Sequence, residues 1–199
     1  MPRRQAENER IRDEQRQNIL RAAEKVFARK GLAAAKMTEI AAAAGVSYGL
    51  AYHYFESKEE LFAALVEHEI RGTMRGIQEA LEERHGTPWE RLTRMVAWML
   101  QGMQEQPEAV LVTLHALTSE ATPPEIRQRF YELAHLNNEV ITQLIIEGQK
   151  AGEVVQGDPE QLAAFLGSSI QGIAISMTYG GVLSLKIPDA ALVLRGLKA

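Results

Sequence analysis

Cysteine is absent from this 199-residue chain. That excludes disulfides, thiolate zinc sites and iron–sulfur clusters, and it suits a reducing cytoplasm. No apolar run approaches the roughly 20 residues that a membrane-spanning helix needs. The first residues, MPRRQAENERIRDEQRQ, lack the apolar centre of a secretion signal. The expectation is a cytoplasmic protein with no membrane partner. Histidine is sparse: His53, His68, His85, His115 and His135 are scattered, and no two stand three or four residues apart. Helical metal spacing is therefore missing. So are G-x-S-x-G, the phosphate-binding loop, the dinucleotide fingerprint and H-E-x-x-H. Neither an enzyme, a cofactor nor a metal site is expected.

Enough apolar residues are present to build a core. They make up 46% of the chain, which argues against disorder. The net charge of −4 argues against general affinity for nucleic acid, but the charge is unevenly spread. Residues 1–58 hold 11 Lys+Arg against 7 Asp+Glu, a net +4; the remainder holds 11 against 19, a net −8. A basic third joined to an acidic remainder fits a chain in which one part meets an anion.

Residues 1–15 are polar and read as a solvated tail. Arg3, Arg4, Arg10 and Arg12 would suit an arm reaching DNA, but Glu7, Glu9, Asp13 and Glu14 nearly cancel them. From Arg16 to Lys30 the pattern is helical: Ile19, Ala22, Ala23, Val26 and Phe27 form one stripe. Gly31 stands where a left-handed residue ends such a helix. A second helix, 37–44, is rich in alanine. Gly45 is placed for a turn of positive φ, and Ser47 to cap a third helix, 48–54. That helix is too short to be stable alone. Ser57 and Glu60 mark the start of a long helix from Lys58 to about Arg84. Gly72 and Gly76, one turn apart within it, suit either a close-packed face or a bend.

The stretch with Glu39-Ile40-Ala41, Ala44-Gly45-Val46-Ser47, Gly49, Tyr52, Tyr54-Phe55, Ser57-Lys58-Glu59 and Leu61 resembles the DNA-binding region of the tetracycline-repressor (TetR) family. The resemblance runs over some 45 residues. It implies an all-α protein with a three-helix helix-turn-helix domain, a helical C-terminal domain that forms a homodimer, and usually a small-molecule pocket. The domains expected are a tail (1–15), a DNA-binding domain (16–60) and a regulatory and dimerisation domain (61–199). In that frame the helix-turn-helix lays its second helix in the major groove. Ser47, Tyr48, Gly49 and His53 would lie nearest the DNA, with Tyr52, Tyr54 and Lys58 on phosphates and Phe55 in the core. The family usually has threonine where this chain has Lys36. That lysine can still meet phosphate as a point charge, and Thr38 can reach the backbone.

Further helices are expected at 89–105, 109–117, 124–151, 158–179 and 189–197, with Gly180-Gly181 ending the fourth. Trp98, Met99, Met103, Leu114, His115, Phe130, His135, Asn137, Asn138, Gln171 and Met177 are candidate liners of a pocket for an apolar or amphipathic ligand, although a methionine or aromatic stripe is also what a plain core looks like. Small residues on 158–179 (Ala163, Gly167, Ser168, Gly172 and Ala174), set among Leu166, Ile170 and Ile173, mark a candidate dimer face that the last helix would complete, although packing within one chain would explain some of them equally. The function expected is a dimeric repressor released from a palindromic DNA operator by a small molecule. The alternative is a similar DNA binder governed by a protein partner, or an activator.

Overall fold

The structure, a computed structural model, describes residues 2–82, 85–178 and 186–199. Among them regular structure is helical: α1 (Pro2–Ala34), α2 (Met37–Ala44), α3 (Tyr48–Tyr54), α4 (Lys58–Glu82), α5 (Pro88–Glu105), α6 (Pro107–Thr118), α7 (Pro124–Lys150), α8 (Pro159–Thr178), α9 (Ala190–Val193) and a closing 3-10 turn, Arg195–Leu197. One isolated bridge, Val154 with Lys198, ties the C-terminal end to the turn after α7. Gly180-Gly181, and the end of the long helix at 83–84, lie outside the described residues.

The expected tail is helical. The backbone of α1 continues as a helix back to Pro2, because extending an existing helix carries no nucleation cost. Arg10 also pairs on the exposed surface with Glu7 at 2.7 Å and with Glu14, spacings at which side chains on a helix are neighbours. Gly31 adopts φ 68° and breaks α1, but the chain makes one further turn to Ala34 instead of stopping.

The chain divides into two compact units: 1–69 with 111–127, and 70–110 with 128–199. The division differs from the expected boundary at 60, since the first unit keeps more of α4 and recruits most of α6. In the first unit Ile19, Ala23, Phe27, Ile40, Ala51, Phe55, Leu61 and Phe62 are essentially without solvent contact. Phe27 and Phe62 meet edge to face, 5.0 Å between ring centres. In the second unit the core joins Leu92, Met95 and Val96 of α5 to Ile141, Leu144 and Ile145 of α7 and to Ala163 and Leu166 of α8. Thr87 caps α5 in a complete capping box with Glu90. Arg91 of α5 pairs with Glu147 of α7 at 2.8 Å. Gly76 of α4 is a close-packing site: a Cβ there would stand 2.1 Å from Cζ2 of Trp98, whereas one at Gly72 would meet nothing.

Candidate nucleic-acid interface

The turn between α2 and α3 is held by local bonds. Gly45 takes φ 67° in the left-handed region, and its N–H donates to Ala42 O at 3.1 Å. The Val46 N–H donates to Ala41 O at 3.0 Å, which closes the helix end in the Schellman manner. A third bond comes from far along the chain: Asn18 Nδ2 donates to Ala44 O at 2.8 Å. Ser47 Oγ then accepts from the Leu50 N–H at 3.2 Å and starts α3. At the other end the Phe55 N–H closes on Ala51 O, and Arg16 stands 5.0 Å above the buried Phe55 ring, a cation–π contact.

Within α3 only Ala51 is buried. Tyr48, Gly49, Tyr52 and His53 are exposed, while Tyr54 is half-buried. Positions i, i+1, i+4 and i+5 share one face of a helix, so four of the expected contact residues present a single outward surface. Tyr48 and Tyr52 are 53% and 38% exposed, although aromatic rings are usually buried. Their ring centres lie 4.6 Å apart at 58°. The Tyr52 hydroxyl is pushed above its ordinary value, first by its hydrogen bond with Tyr48, then by partial burial and by the charges of Tyr48 and Glu59. A tyrosine hydroxyl is protonated at neutral pH even without this shift, and can donate to a phosphate oxygen. The His53 and Tyr54 rings meet edge on at 5.5 Å. A Cβ at Gly49 would touch nothing, so the fold itself does not require glycine there.

At the start of α2, Lys36 occupies the N-cap position without a side-chain cap bond, as the missing threonine implies. Lys36 and Thr38 are both exposed. Lys30 pairs with Glu39 at 2.6 Å. The Glu39 carboxyl is held below its usual range, chiefly by that hydrogen bond, against the opposing effect of burial and with help from the charge of Lys30 and from the backbone N–H and charge of Lys36.

Lys58 departs from expectation. Its Nζ donates to the carbonyl oxygens of Leu32 (2.9 Å), Ala33 (2.9 Å) and Ala35 (3.2 Å). An ammonium has three donors, and all three are committed to carbonyls at and just past the end of α1, where a positive charge also suits the helix dipole. It is a capping group of the domain and not a free phosphate ligand. Ser57 does cap α4, accepting from Glu60 N at 3.0 Å, but Glu60 reaches back to Glu56 N (2.6 Å) rather than to Ser57.

The expected pocket residues are not gathered in one place. Leu114 and His115 belong to the first unit. His115 Nε2 lies 3.2 Å from Ala28 O, and its ring covers Gly31, so His115 braces the end of α1. His135 and Gln171 face solvent. Met99 and Met103 are partly buried against the core of the second unit, and Phe130 is 7% exposed. Asn138 and Met177 are half-buried. Trp98 is 41% exposed above Gly76.

The dimer face also needs correction. Ala163 and Leu166 have no exposed surface within the single chain, and Ile170 is 7% exposed. They are core, and a partner cannot reach them. Gly167 and Ala174 are half-buried flanks. The outward side of α8 is Ala164, Phe165, Ser168, Gln171 and Gly172, with Phe165 60% exposed.

Sequence reasoning missed Asn18 as the cap of α2 and Lys58 as the cap of α1. Their partners are 26 and 23–26 residues away, beyond any local pattern.

Comparison with known proteins agrees with this geometry. Residues 19–65 match the family described as bacterial regulatory proteins, tetR family. Residues 88–187 match the C-terminal domain of BetI-type transcriptional repressors. The transcriptional regulator BetI of Rhizobium meliloti is 34% identical over 113 residues, 57% of this chain and 55% of that one. The transcriptional activator FasR of Mycolicibacterium smegmatis is 43% identical over 70 residues, 35% of this chain and 32% of that one. In fold, the chain is similar to a transcriptional regulator from Saccharomonospora viridis solved in complex with choline, with a TM-score of 0.76, 22% identity, and coverage of 94% of this chain and 99% of that one.

Proposed function

Because the chain belongs to the tetR family of bacterial regulatory proteins, and so is a transcription regulator and not an enzyme, we propose that it works as a homodimeric repressor released from a palindromic operator by a small molecule. The observation that carries this reading is α4. Its first half lies in the DNA-binding unit and its second half in the other, so one continuous helix is shared by both.

Two copies are needed for a physical reason. A recognition helix of 7 residues reads few bases, while two helices on a two-fold-symmetric site multiply both affinity and specificity. The outward strip of α8 around Phe165 is the surface we assign to the partner copy. On DNA, Tyr48 and His53 face the groove, Gly49 lets the backbone come close, and Lys36, Thr38, Ser47, Tyr52 and Tyr54 hold phosphates. The ligand binds the second unit in a state where α4 is displaced, and the spacing of the two recognition helices then no longer suits the operator. It can shift that balance only by its difference in affinity for the two states.

The test starts from a duplex selected out of a random pool. Affinity is measured against salt, then against choline, the ligand of the S. viridis regulator. A ligand that binds tightly yet leaves operator affinity unchanged would sink the mechanism. The match to FasR, named an activator, favours a second reading in which DNA binding is the same and the sign of regulation is reversed. A reporter driven from the selected duplex separates the two.

A further inference from the structure

Residues 7–14 of α1 stand clear of the domain, each of them exposed. In sequence the acids here nearly cancel the arginines, but on the helix the two are sorted onto different faces. Asn8, Arg12 and Arg16 continue, at helical spacing, the stripe that Ile19, Ala23 and Val26 turn to the core. The acids lie elsewhere. Glu7 and Glu14 hold Arg10 between them. Glu9 and Asp13 line one surface groove together with Arg10, Glu14, Gln17 and Arg21. Among the described residues Arg12 has no hydrogen-bond or ion-pair partner. Its neighbour one turn on, Arg16, carries a like charge, and such pairs at i, i+4 repel.

The course of this segment follows from contacts further along α1. Lys30 with Glu39 at 2.6 Å, and Asn18 with Ala44 O at 2.8 Å, set α1 antiparallel to α2. The N-terminal end of α1 therefore points where α2 ends, at the turn into α3. Asn18 holds that turn, and Arg16 lies over Phe55, the residue that closes α3. One turn of α1 thus touches both ends of the reading helix. Arg12 stands about 9 Å before Asn18, at 1.5 Å per residue, beyond both contacts. α3 buries Ala51 toward the core and turns Tyr48, Gly49, Tyr52 and His53 the other way. A face of α1 that looks into the core looks, where the core has ended, past α3 to the side on which these residues lie.

We infer that the N-terminal extension of α1 is an arm that overhangs the recognition helix and sets Arg12 on a backbone phosphate beside the groove that α3 enters. The inference rests on the reading above that α3 meets DNA. A guanidinium matches a phosphate with two parallel hydrogen bonds, and an anion at Arg12 offsets its repulsion from Arg16. The acids of the arm are kept on the faces turned away from the same phosphates. A phosphate contact carries no base sequence, so the arm adds affinity to every duplex and leaves the choice of operator to α3.

The experiment measures affinity against salt for two duplexes of equal length, the selected operator and a scrambled one, with Arg12→Gln and Arg10→Gln in the full chain. Both variants remove one positive charge from the exposed arm, and glutamine is as good a helix former as arginine, so both should melt like the wild type. Arg12→Gln is expected to lower the salt slope by about one for each arm on the duplex. It should also weaken both duplexes by the same factor, about fivefold per arm at 0.15 M salt. Arg10→Gln, on the outer face, is expected to leave the slope unchanged. Equal effects of the two variants would reduce the arm to bulk charge and overturn the inference. An unchanged slope in Arg12→Gln, or a loss confined to the selected operator, overturns it as well, and in each of these cases DNA binding by α3 still stands. A wild type that binds neither duplex at low salt overturns the DNA reading and the arm together.

Discussion

Lys58 Nζ sits 2.9 Å from the carbonyl oxygen of Leu32 and shares its other donors between Ala33 and Ala35. A charge that looks made for phosphate is thereby used to join the end of α1 to the start of α4. Hydrogen bonds from a charged donor contribute about 1.5–3 kcal/mol, and Lys58 is only half-buried, so Lys58→Met should cost about 1–2 kcal/mol in denaturant unfolding. The dependence of operator affinity on salt should hardly change. Lys36→Ala should do the reverse, leaving unfolding alone and lowering the salt slope by about one per half-site. If the two variants exchanged these effects, the assignment of Lys58 would be wrong.

Gly49 separates fold from function. A Cβ there meets nothing within the chain, and alanine favours a helix over glycine by roughly 1 kcal/mol. Gly49→Ala should therefore melt at or slightly above the wild-type temperature while losing operator affinity in an anisotropy assay. Unchanged affinity would mean that no backbone approaches DNA at this position.

The Tyr48–Tyr52 pair makes a spectroscopic prediction. Tyr52 is raised first by its hydrogen bond with Tyr48. In Tyr48→Phe the Tyr52 hydroxyl should ionise closer to its ordinary value, seen as an earlier phenolate absorbance in an alkaline titration. Stability linked to a raised group is present below its unfolded value and lost as pH rises through the folded one. The wild-type contribution from this bond should accordingly vanish only above about pH 10. On DNA, Tyr52→Phe should weaken all duplexes alike, and changes at Tyr48 should alter the preferred sequence.

Trp98 over Gly76 is a tight fit with a direct readout. A methyl group at position 76 would overlap the indole, so Gly76→Ala must displace the ring. The cost should be about 1–3 kcal/mol, as for other overpacking changes. Since Trp89 is the other tryptophan of the chain, emission in a Trp89→Phe background reports Trp98 alone. It should shift to the red in Gly76→Ala; no shift would show that the ring does not rest there.

Glu69, at the last position of α4 within the first unit, has its carboxyl raised by burial from an ordinary value of 4.5. The folded chain holds this proton more tightly than the unfolded chain does. Its contribution is most favourable below the ordinary carboxylate range and is lost as pH rises through the folded value. Glu69→Gln should therefore raise the melting temperature at pH 7 and make little difference below pH 4.

The reader region was legible in sequence because its determinants are local. Gly45 supplies the positive φ, Ser47 the cap and Ala51 the small buried contact, all within one short stretch. Helix periods and cap-then-proline signals likewise foretold α5, α7 and α8, since both are local, whereas the expected helix at 189–197 is the single turn Ala190–Val193 followed by a 3-10 turn, Arg195–Leu197. The extension of α1 back to Pro2 escaped notice because a polar stretch shows no stripe; its stability comes from the helix it continues.

By itself, then, the sequence determined an all-helical chain with a helix-turn-helix and an outward face of Tyr48, Gly49, Tyr52 and His53. Tertiary structure alone decided what covers each remaining face. Lys58 finds its carbonyls across the domain, His115 lies on Gly31 instead of in a pocket, and Ala163 and Leu166 turn inward while Phe165 turns out. Periodicity reveals that a side of a helix is apolar, but burial is a property of the neighbour that comes to lie against it, and those neighbours are brought together only when the chain folds.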